Sequence, residues 1–178
     1  MVRTQHRNPI PKKSTWRASS KLQLIHTDIC GPITPISNNK KRYLISFIDD
    51  FSQKAWIYFL VEKFKALVIF KQYKSCVEKE TSSYSKCLRT DQGGELTSQD
   101  FNEFCKENGI KRQLTVAYTP QQNGVAERKN QTIMNMVRSM ISEKKLPQTF
   151  WLEAVNWTVH ILNRSPTLTV KNMTSEEA

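Results

Sequence analysis

The stretch RYLISFIDDFSQKAWIYFLVE occupies residues 42–62. Its two halves are rich in aromatic and β-branched side chains, and residues 50–53 between them have the composition of a turn. This pattern predicts a β-hairpin. The preceding stretch LQLIHTDI at 22–29 predicts a short strand that ends at Asp28, shortly before the chain-breaking Gly31-Pro32. The sheet is therefore expected to begin with three consecutive strands.

Downstream of the hairpin, strands are predicted to alternate with helices. Apolar residues recur at intervals of three and four in each predicted helix, and Gly or Pro follows most of these segments. The predicted helices are 62–81, 96–107, 125–144 and 148–163, and the predicted strands are SKCLRT at 85–90 and KRQLTV at 111–116. This order predicts an α/β fold in which one five-stranded mixed sheet is flanked by helices on both faces.

The chain has 178 residues, enough for one domain with a hydrophobic core and too few for two domains of ordinary size. Lys and Arg number 27 against 16 Asp and Glu, which gives a formal net charge of +11. Such an excess is unusual for a cytosolic metabolic enzyme and favours a polyanionic partner. The sequence lacks both a run of about 18 apolar residues and an apolar segment behind its basic start. It therefore predicts neither a membrane-spanning nor a secreted protein.

Residues 1–21 contain six basic side chains, no acidic ones and two prolines, a composition that predicts an extended basic arm or linker. The cysteines include no Cys-x-x-Cys pair, and only three histidines are available to complete a zinc site. We therefore expect reduced, mostly packed thiols and no zinc in this chain. The four cysteines are Cys30, Cys76, Cys87 and Cys105.

Three carboxylates stand at the predicted ends of elements. Asp28 closes the first strand, Asp91 closes the fourth, and Glu127 begins the long third helix. Open α/β sheets place their sites where strands end, so these acids can converge at one sheet edge. Like charges at short range need a counter-cation, and ligands of carboxylate alone favour Mg²⁺ or Mn²⁺ over Zn²⁺. Two such ions and a basic surface suit phosphodiester chemistry on nucleic acid, although an acid at a strand end is more often only a solvated cap.

The sequence around these acids resembles that of the integrase catalytic core of Copia-type long-terminal-repeat retrotransposons. The stretches that carry the resemblance are HTDICGP at 26–32, FIDDFS at 47–52, LRTDQGGE at 88–95, YTPQQNGVAERKN at 118–130 and LNRSPT at 162–167. Asp91 and Glu127 are separated by 35 residues, the spacing of the D,D-35-E signature of retroviral-type integrases. The resemblance extends from about Trp16 to the end of the chain.

The resemblance implies an RNase H-like fold, two catalytic Mg²⁺ or Mn²⁺ ions and a reaction that joins a 3′-hydroxyl of element DNA to target DNA. Asp28, Asp91 and Glu127 match the three metal-binding catalytic acids of the family. It further implies a catalytic core over residues 22–165 and the start of a C-terminal extension at 166–178. The expected partners are the element ends, the target DNA and further copies of the full-length protein, with no membrane. The implied location is the nucleus, after a possible stage in a cytoplasmic particle.

The geometry of the third helix predicts a DNA-binding track. At 100° per residue, Arg138 lies about 20° from Glu127 and roughly 16 Å further along the helix. Asn130 shares the face of Glu127, and Arg128 and Lys129 flank its start. We expect this polar, basic track to follow the DNA backbone, the alternative being an ordinary solvated helix face.

The loop before this helix supplies three further candidate DNA contacts, Tyr118, Gln121 and Asn123. Gly124 at its end is expected to give the loop flexibility, and Tyr118 could equally be a packing residue.

Other polar residues near the acids have ordinary explanations. Asp49 and Asp50 are expected to close the hairpin turn, and Glu95 to lie in the turn before a helix. His26 is two residues before Asp28, on the same face of the strand, and is a weak ligand candidate that more plausibly supports the acids.

Two other functions compete with DNA joining. A nuclease of the same fold would cleave without joining, whereas a catalytically silent DNA-binding or oligomerising fragment would bind through its charge and be indifferent to Mg²⁺.

Overall fold

The computed structural model describes residues 17–115, 124–167, 170 and 173–178. Its five strands form one mixed sheet in the order β3-β2-β1-β4-β5. Strands β1, β2 and β3 pair in antiparallel fashion, and β4 is parallel to both β1 and β5. The strands are β1 Ile25–Cys30, β2 Tyr43–Asp49, β3 Ala55–Leu60, β4 Cys87–Thr90 and β5 Lys111–Leu114. The predicted hairpin and the mixed sheet are thus confirmed.

Four helices cover the sheet: α1 Ala66–Thr81, α2 Gln99–Glu107, α3 Gly124–Glu143 and α4 Trp151–Arg164. Three of them, α1, α2 and α4, begin later than predicted because the chain first makes a short 3₁₀ turn, which for α1 and α2 is Lys63–Lys65 and Gly94–Leu96. Helix α2 begins after Ser98, whose side chain accepts a hydrogen bond from the Phe101 amide as an N-cap. A third 3₁₀ turn, Gln148–Phe150, leads into α4.

Each face of the sheet has its own core. On one face, Phe47 stacks on Tyr73 of α1 with ring centroids 4.1 Å apart, and Phe101 of α2 joins the same cluster. On the other face, Leu44 packs with Ile133 of α3 and with side chains of α4. Because strand side chains alternate, Ile25 faces α1 and α2, whereas His26, Asp28 and Cys30 face α3.

Both ends of the described chain are attached to the β2–β3 turn. Arg17 donates hydrogen bonds to the backbone oxygens of Asp50 and Phe51, at 3.2 and 3.0 Å. Near the C-terminus, Glu176 forms ion pairs with Lys54 and Arg164 at 3.3 and 3.2 Å. Residues 17–21 therefore lie against the core, while residues 1–16 of the predicted arm fall outside the described residues. The proposed bounds of the core and of its flanks stay predictions.

The cysteines are free, with Cys87 and Cys105 buried, Cys30 half-buried and Cys76 exposed. Among the helices of the described chain, none combines the length and the apolar character needed to cross a bilayer.

Candidate functional site

Asp28 does not close its strand as predicted, because β1 continues to Cys30. The pairing with β2 extends through Asp28↔Ser46 to Cys30↔Leu44, which keeps these residues in the sheet. On the other side, the ladder with β4 consists of Ile25↔Leu88 and His26↔Arg89. Continuing that register places Asp28 opposite Asp91. The two aspartates therefore lie side by side where β4 has ended and β1 has not.

Asp91 directly follows β4 and begins a short segment, residues 91–96, which we call the Asp91 segment. Its Oδ1 accepts a hydrogen bond from the Gly93 amide at 3.1 Å. A Cβ atom on Gly93 would lie 3.0 Å from that Oδ1 and 3.2 Å from Glu95 Oε2, so glycine leaves room for both carboxylates. Glu95 sits in the 3₁₀ turn as expected, and its Oε1 lies 3.3 Å from the Lys63 ammonium. This segment presents Asp91 on the α3 side of the sheet.

Helix α3 supplies the third acid. Glu127 is exposed in its first turn, where the positive end of the helix dipole stabilises negative charge. One turn later, buried Asn130 donates from Nδ2 to Asp28 Oδ2 at 2.9 Å and so connects α3 to the centre of the sheet. The Asn130 Oδ1 is buried and has no hydrogen-bond partner within the described parts of the chain. An acceptor oxygen beside Asp28 is thus left available.

The three acids share one electrostatic environment. Burial raises the pKa of Asp28, the hydrogen bond from Asn130 opposes this, and the negative charges of Asp91 and Glu127 raise the pKa further. Within the residues that the structure describes, however, no group of three or more His, Cys, Asp or Glu side chains is compact enough to hold a metal ion. The donors are oxygen atoms of carboxylates and an amide, which is the chemistry that Mg²⁺ and Mn²⁺ prefer. The residues therefore fit a hard divalent cation in kind.

The basic residues at the start of α3 are held close to the protein. The Arg128 guanidinium covers Gly124 so closely that a Cβ there would lie 2.6 Å from Nη1. Gly124 is buried at the first position of α3, and the lack of a Cβ there leaves room for the Arg128 side chain; the loop flexibility expected of Gly124 stays a prediction. Lys129 is half-buried and donates to the backbone oxygen of Gln53 at 3.4 Å, and burial lowers its pKa. DNA contact by these residues stays a prediction.

Arg138 lies further along α3, is exposed, and donates to Asn135 Oδ1 at 3.0 Å. It lines a cleft of about 780 Å³ that also includes Cys30, the last residue of β1, and Lys145, two residues beyond the end of α3. The predicted DNA track is therefore open to solvent at Arg138. The loop candidates Tyr118, Gln121 and Asn123 lie outside the described residues.

The second acidic pair has a structural role, as expected from its position in the turn. Asp49 accepts hydrogen bonds from the amides of Leu22 and Ser52 at 2.9 and 2.8 Å. Asp50 accepts from the Ala18 amide at 2.7 Å, and its Oδ1 lies 2.7 Å from Nε2 of fully buried His26. His26 therefore joins the strand of Asp28 to the hairpin turn and does not point a free ring nitrogen at solvent.

Sequence reasoning missed one further residue near the site, Arg112 on β5. Its side chain contacts the residue before Asp91 and the end of the Asp91 segment. A basic residue within a short strand carries no visible signal of this kind, because the contact depends on strand pairing.

Comparison with known proteins gives a consistent result. Residues 18–120 match the family model described as the integrase core domain. The chain is 44% identical over 164 residues to the retrovirus-related Pol polyprotein from transposon TNT 1-94 of Nicotiana tabacum, an alignment that covers 92% of this chain and 12% of the relative. It is 31% identical over 167 residues to the corresponding polyprotein from transposon RE2 of Arabidopsis thaliana, covering 93% and 11%. The chain thus spans only about a tenth of the length of these relatives.

Solved structures show the same fold at lower sequence identity. A chain of the simian T-cell lymphotropic virus intasome in complex with PP2A regulatory subunit B56 gamma superposes with a TM-score of 0.76 and 18% identity, covering 96% of this chain and 59% of that one. The HTLV-2 integrase catalytic core domain in complex with magnesium gives a TM-score of 0.66 and 21% identity, covering 90% and 98%. The predicted RNase H-like architecture is confirmed.

Proposed function

Because this chain belongs to the integrase core domain family, we propose that it catalyses the joining of retrotransposon DNA ends to target DNA with Mg²⁺ or Mn²⁺. One observation carries the proposal: the β1–β4 register brings Asp28 opposite Asp91, and Asn130, one turn after Glu127 on α3, donates to Asp28 Oδ2 at 2.9 Å. Their spacing and surrounding sequence resemble those of the family's catalytic acids. An ordinary solvated strand-end acid would not be half-buried and hydrogen-bonded to a buried asparagine of the helix that carries Glu127.

The three acids are the residues that would hold the cations. Two divalent ions would supply charge to stabilise the pentavalent phosphorus and would favour the deprotonated form of the attacking 3′-hydroxyl. The buried, unpartnered Oδ1 of Asn130 supports this assignment, since an acceptor in that position suits a cation or its bound water.

The protein's own contribution is to hold the donors in position. Asn130 orients the Asp28 carboxylate through its 2.9 Å hydrogen bond, and Glu127 lies one turn earlier on the same helix. The net charge of +11 attracts DNA, and the cleft that contains Arg138 gives a backbone phosphate access beside β1. Orientation and preorganised charge would thus be the main catalytic effects of this chain.

The proposed partners are element ends, target DNA and further copies of the integrase. The solved relatives include an intasome and dimeric and trimeric forms of a catalytic core, which supports assembly as the working state. Target DNA of this kind implies action in the nucleus.

The test is joining of a labelled duplex with a recessed 3′ end to plasmid DNA by the purified chain in Mg²⁺ or Mn²⁺. We expect metal-dependent joining that falls at least about a thousandfold in Asp28→Asn, Asp91→Asn and Glu127→Gln. The matched control is Glu143→Gln, which removes an exposed acid at the far end of the same helix and should keep joining intact.

Joining that survives in any of the three acid variants would refute the assignment. Cleavage without joining would favour a nuclease of the same fold. DNA binding that is steeply salt-dependent, equal with and without Mg²⁺ and unaccompanied by chemistry would favour a silent DNA-binding fragment.

A further inference from the structure

The geometry points to Arg112 as a positioning residue that holds the Asp91 segment in place from the opposite face of the sheet. The inference rests on the proposed function in that Asp91 is taken as a catalytic acid, and it adds a residue outside the predicted site. Arg112 is on β5, directly opposite Leu88 of β4. Leu88 faces α1 and α2, so Arg112 lies beneath α2, behind the acids.

A single nitrogen of Arg112 reaches both ends of the Asp91 segment. Its Nη2 donates to Thr90 Oγ1 at 3.0 Å and to the backbone oxygen of Leu96 at 2.6 Å. Thr90 is the residue immediately before Asp91, and its hydroxyl donates in turn to the Asp91 backbone oxygen at 2.8 Å. The guanidinium therefore sets the distance between the point where this segment leaves β4 and the point where it enters α2.

The guanidinium is itself fixed by α2. Its carbon lies 4.8 Å from the centroid of the Phe101 ring, a cation–π distance, and Nη1 lies 3.9 Å from Cys105 Sγ. Phe101 and Cys105 are both fully buried. Four contacts from one planar group leave little freedom of rotation, which makes Arg112 a rigid brace.

The Asp91 segment needs an external contact of this kind because the hydrogen bonds within it do not attach it to the sheet. The pairing of β4 with β5 ends at Thr90↔Leu114, so Asp91 lies beyond the ladder. The hydrogen bonds from Gly93 N to Asp91 Oδ1 and from Leu96 N to Gly93 O make the segment locally compact. The ion pair of Glu95 with Lys63 holds its outer side. The backbone of Thr90 is already paired with β5, and Arg112 extends the attachment from β5 to Leu96 at the far end of the segment while also holding the Thr90 side chain.

A lysine could not reproduce this arrangement in full. Lys offers a single ammonium with no planar fork, and it cannot stack on Phe101 while donating to two acceptors on fixed lines. Replacement of Arg112 should therefore loosen the Asp91 segment even when the positive charge is retained.

The experiment compares Arg112→Met and Arg112→Lys with a matched control, Arg89→Met. Arg89 connects the same two strands, donating to Gln113 Oε1 at 3.0 and 2.8 Å, and makes no hydrogen bond to the Asp91 segment. The readouts are amide hydrogen exchange of residues 91–96, the affinity for Mn²⁺ alone and the kinetics of DNA joining. The control serves for the exchange comparison.

For Arg112→Met we expect exchange of residues 91–96 to accelerate about tenfold or more beyond the level in Arg89→Met, with the remaining core unchanged. Mn²⁺ affinity should fall about 10- to 100-fold, and joining should lose kcat with little change in KM for DNA. Arg112→Lys should fall between the native chain and Arg112→Met in all three readouts.

The inference would be overturned if amide exchange at residues 91–96 were no faster in Arg112→Met than in Arg89→Met. It would also be overturned if the native chain binds Mn²⁺ and Arg112→Met binds it with the same affinity. The proposed function fails separately. Suppose that the native chain neither binds Mn²⁺ nor joins DNA, yet exchange at 91–96 accelerates in Arg112→Met. The positioning role of Arg112 would then be supported, and the catalytic assignment of the acids would be refuted.

Discussion

The side-chain amide of Asn163 on α4 makes the two backbone hydrogen bonds that a neighbouring strand would make with the sheet edge. Its Nδ2 donates to the Ala55 backbone oxygen at 2.8 Å, and its Oδ1 accepts from the Ala55 amide at 3.0 Å. Ala55 begins the edge strand β3 and is fully buried, so its outward backbone groups have little access to water. The change Asn163→Ala removes both hydrogen bonds and leaves a buried donor and a buried acceptor without partners.

The expected cost follows from those two groups. An unsatisfied buried polar group costs about 1–3 kcal/mol, and entry of water at a sheet edge recovers part of that penalty. We therefore expect Asn163→Ala to lower the free energy of unfolding by about 3 kcal/mol. For a chain of this size each kcal/mol corresponds to roughly 2–4 °C, so the Tm should fall by about 6–12 °C.

The assay is urea and thermal unfolding followed by far-UV circular dichroism. The matched control is Asn156→Ala, which removes an exposed asparagine from the same helix and should change stability by less than about 0.5 kcal/mol. The urea m-value should stay constant in both variants, because the folded and unfolded surfaces are nearly unchanged. An Asn163→Ala variant as stable as the control would refute the claim that this side chain completes the sheet edge.

Three further predictions concern the hairpin turn, the core and the connection between β1 and β2. Burial alone would raise the pKa of Asp50, but its hydrogen bonds with His26 and a backbone amide outweigh this and lower it. The ionised Asp50 therefore stabilises the fold fully above the unfolded pKa of about 4, and this stabilisation is lost as pH falls through the folded pKa. We expect Asp50→Asn to lower the free energy of unfolding by about 2 kcal/mol at pH 7 and by progressively less below pH 4, as measured by urea unfolding. Tyr73→Phe should raise the unfolding free energy by about 1 kcal/mol, since the buried hydroxyl has no hydrogen-bond partner among the described residues; a loss of stability would contradict this. Gly31→Ala should cost about 3 kcal/mol, because at φ +127° its Cβ would lie 2.7 Å from a backbone oxygen, whereas Gly94→Ala, with nothing within 4 Å, serves as the neutral control in thermal melts.

The sheet was predictable because its strongest signals are local. Residues 42–62 contain two apolar runs separated by a turn, and a hairpin is the only simple way to bury both. Helix bounds were less predictable, since the apolar spacing starts at 62 and 96 whereas the helices start at Ala66 and Gln99. A 3₁₀ turn presents its side chains at nearly the same spacing as an α-helix, so periodicity cannot separate the two.

The site was predictable in identity and less so in geometry. Gly31-Pro32 suggested that β1 ends at Asp28, but the strand ends where β2 stops pairing, two residues later. The shared helix face of Glu127 and Asn130 followed from the helical repeat. The burial of Asn130 could not be predicted in this way, because the distance between α3 and the sheet depends on packing with β1 and β2. Contacts across strands, such as those of Arg112, require the strand order, which no local pattern specifies.

The attachment of both described ends to the β2–β3 turn has a consequence for how such a domain is carried in a longer polypeptide. Arg17 and Glu176 lie at the same pole of the sheet, so the two ends of the described chain are neighbours. A unit whose ends are neighbours can be inserted between other domains without being stretched. The opposite pole, where β1 ends beside the Arg138 cleft, is lined by neither of these two described ends, so attachment at one pole leaves the cleft at the other free of them.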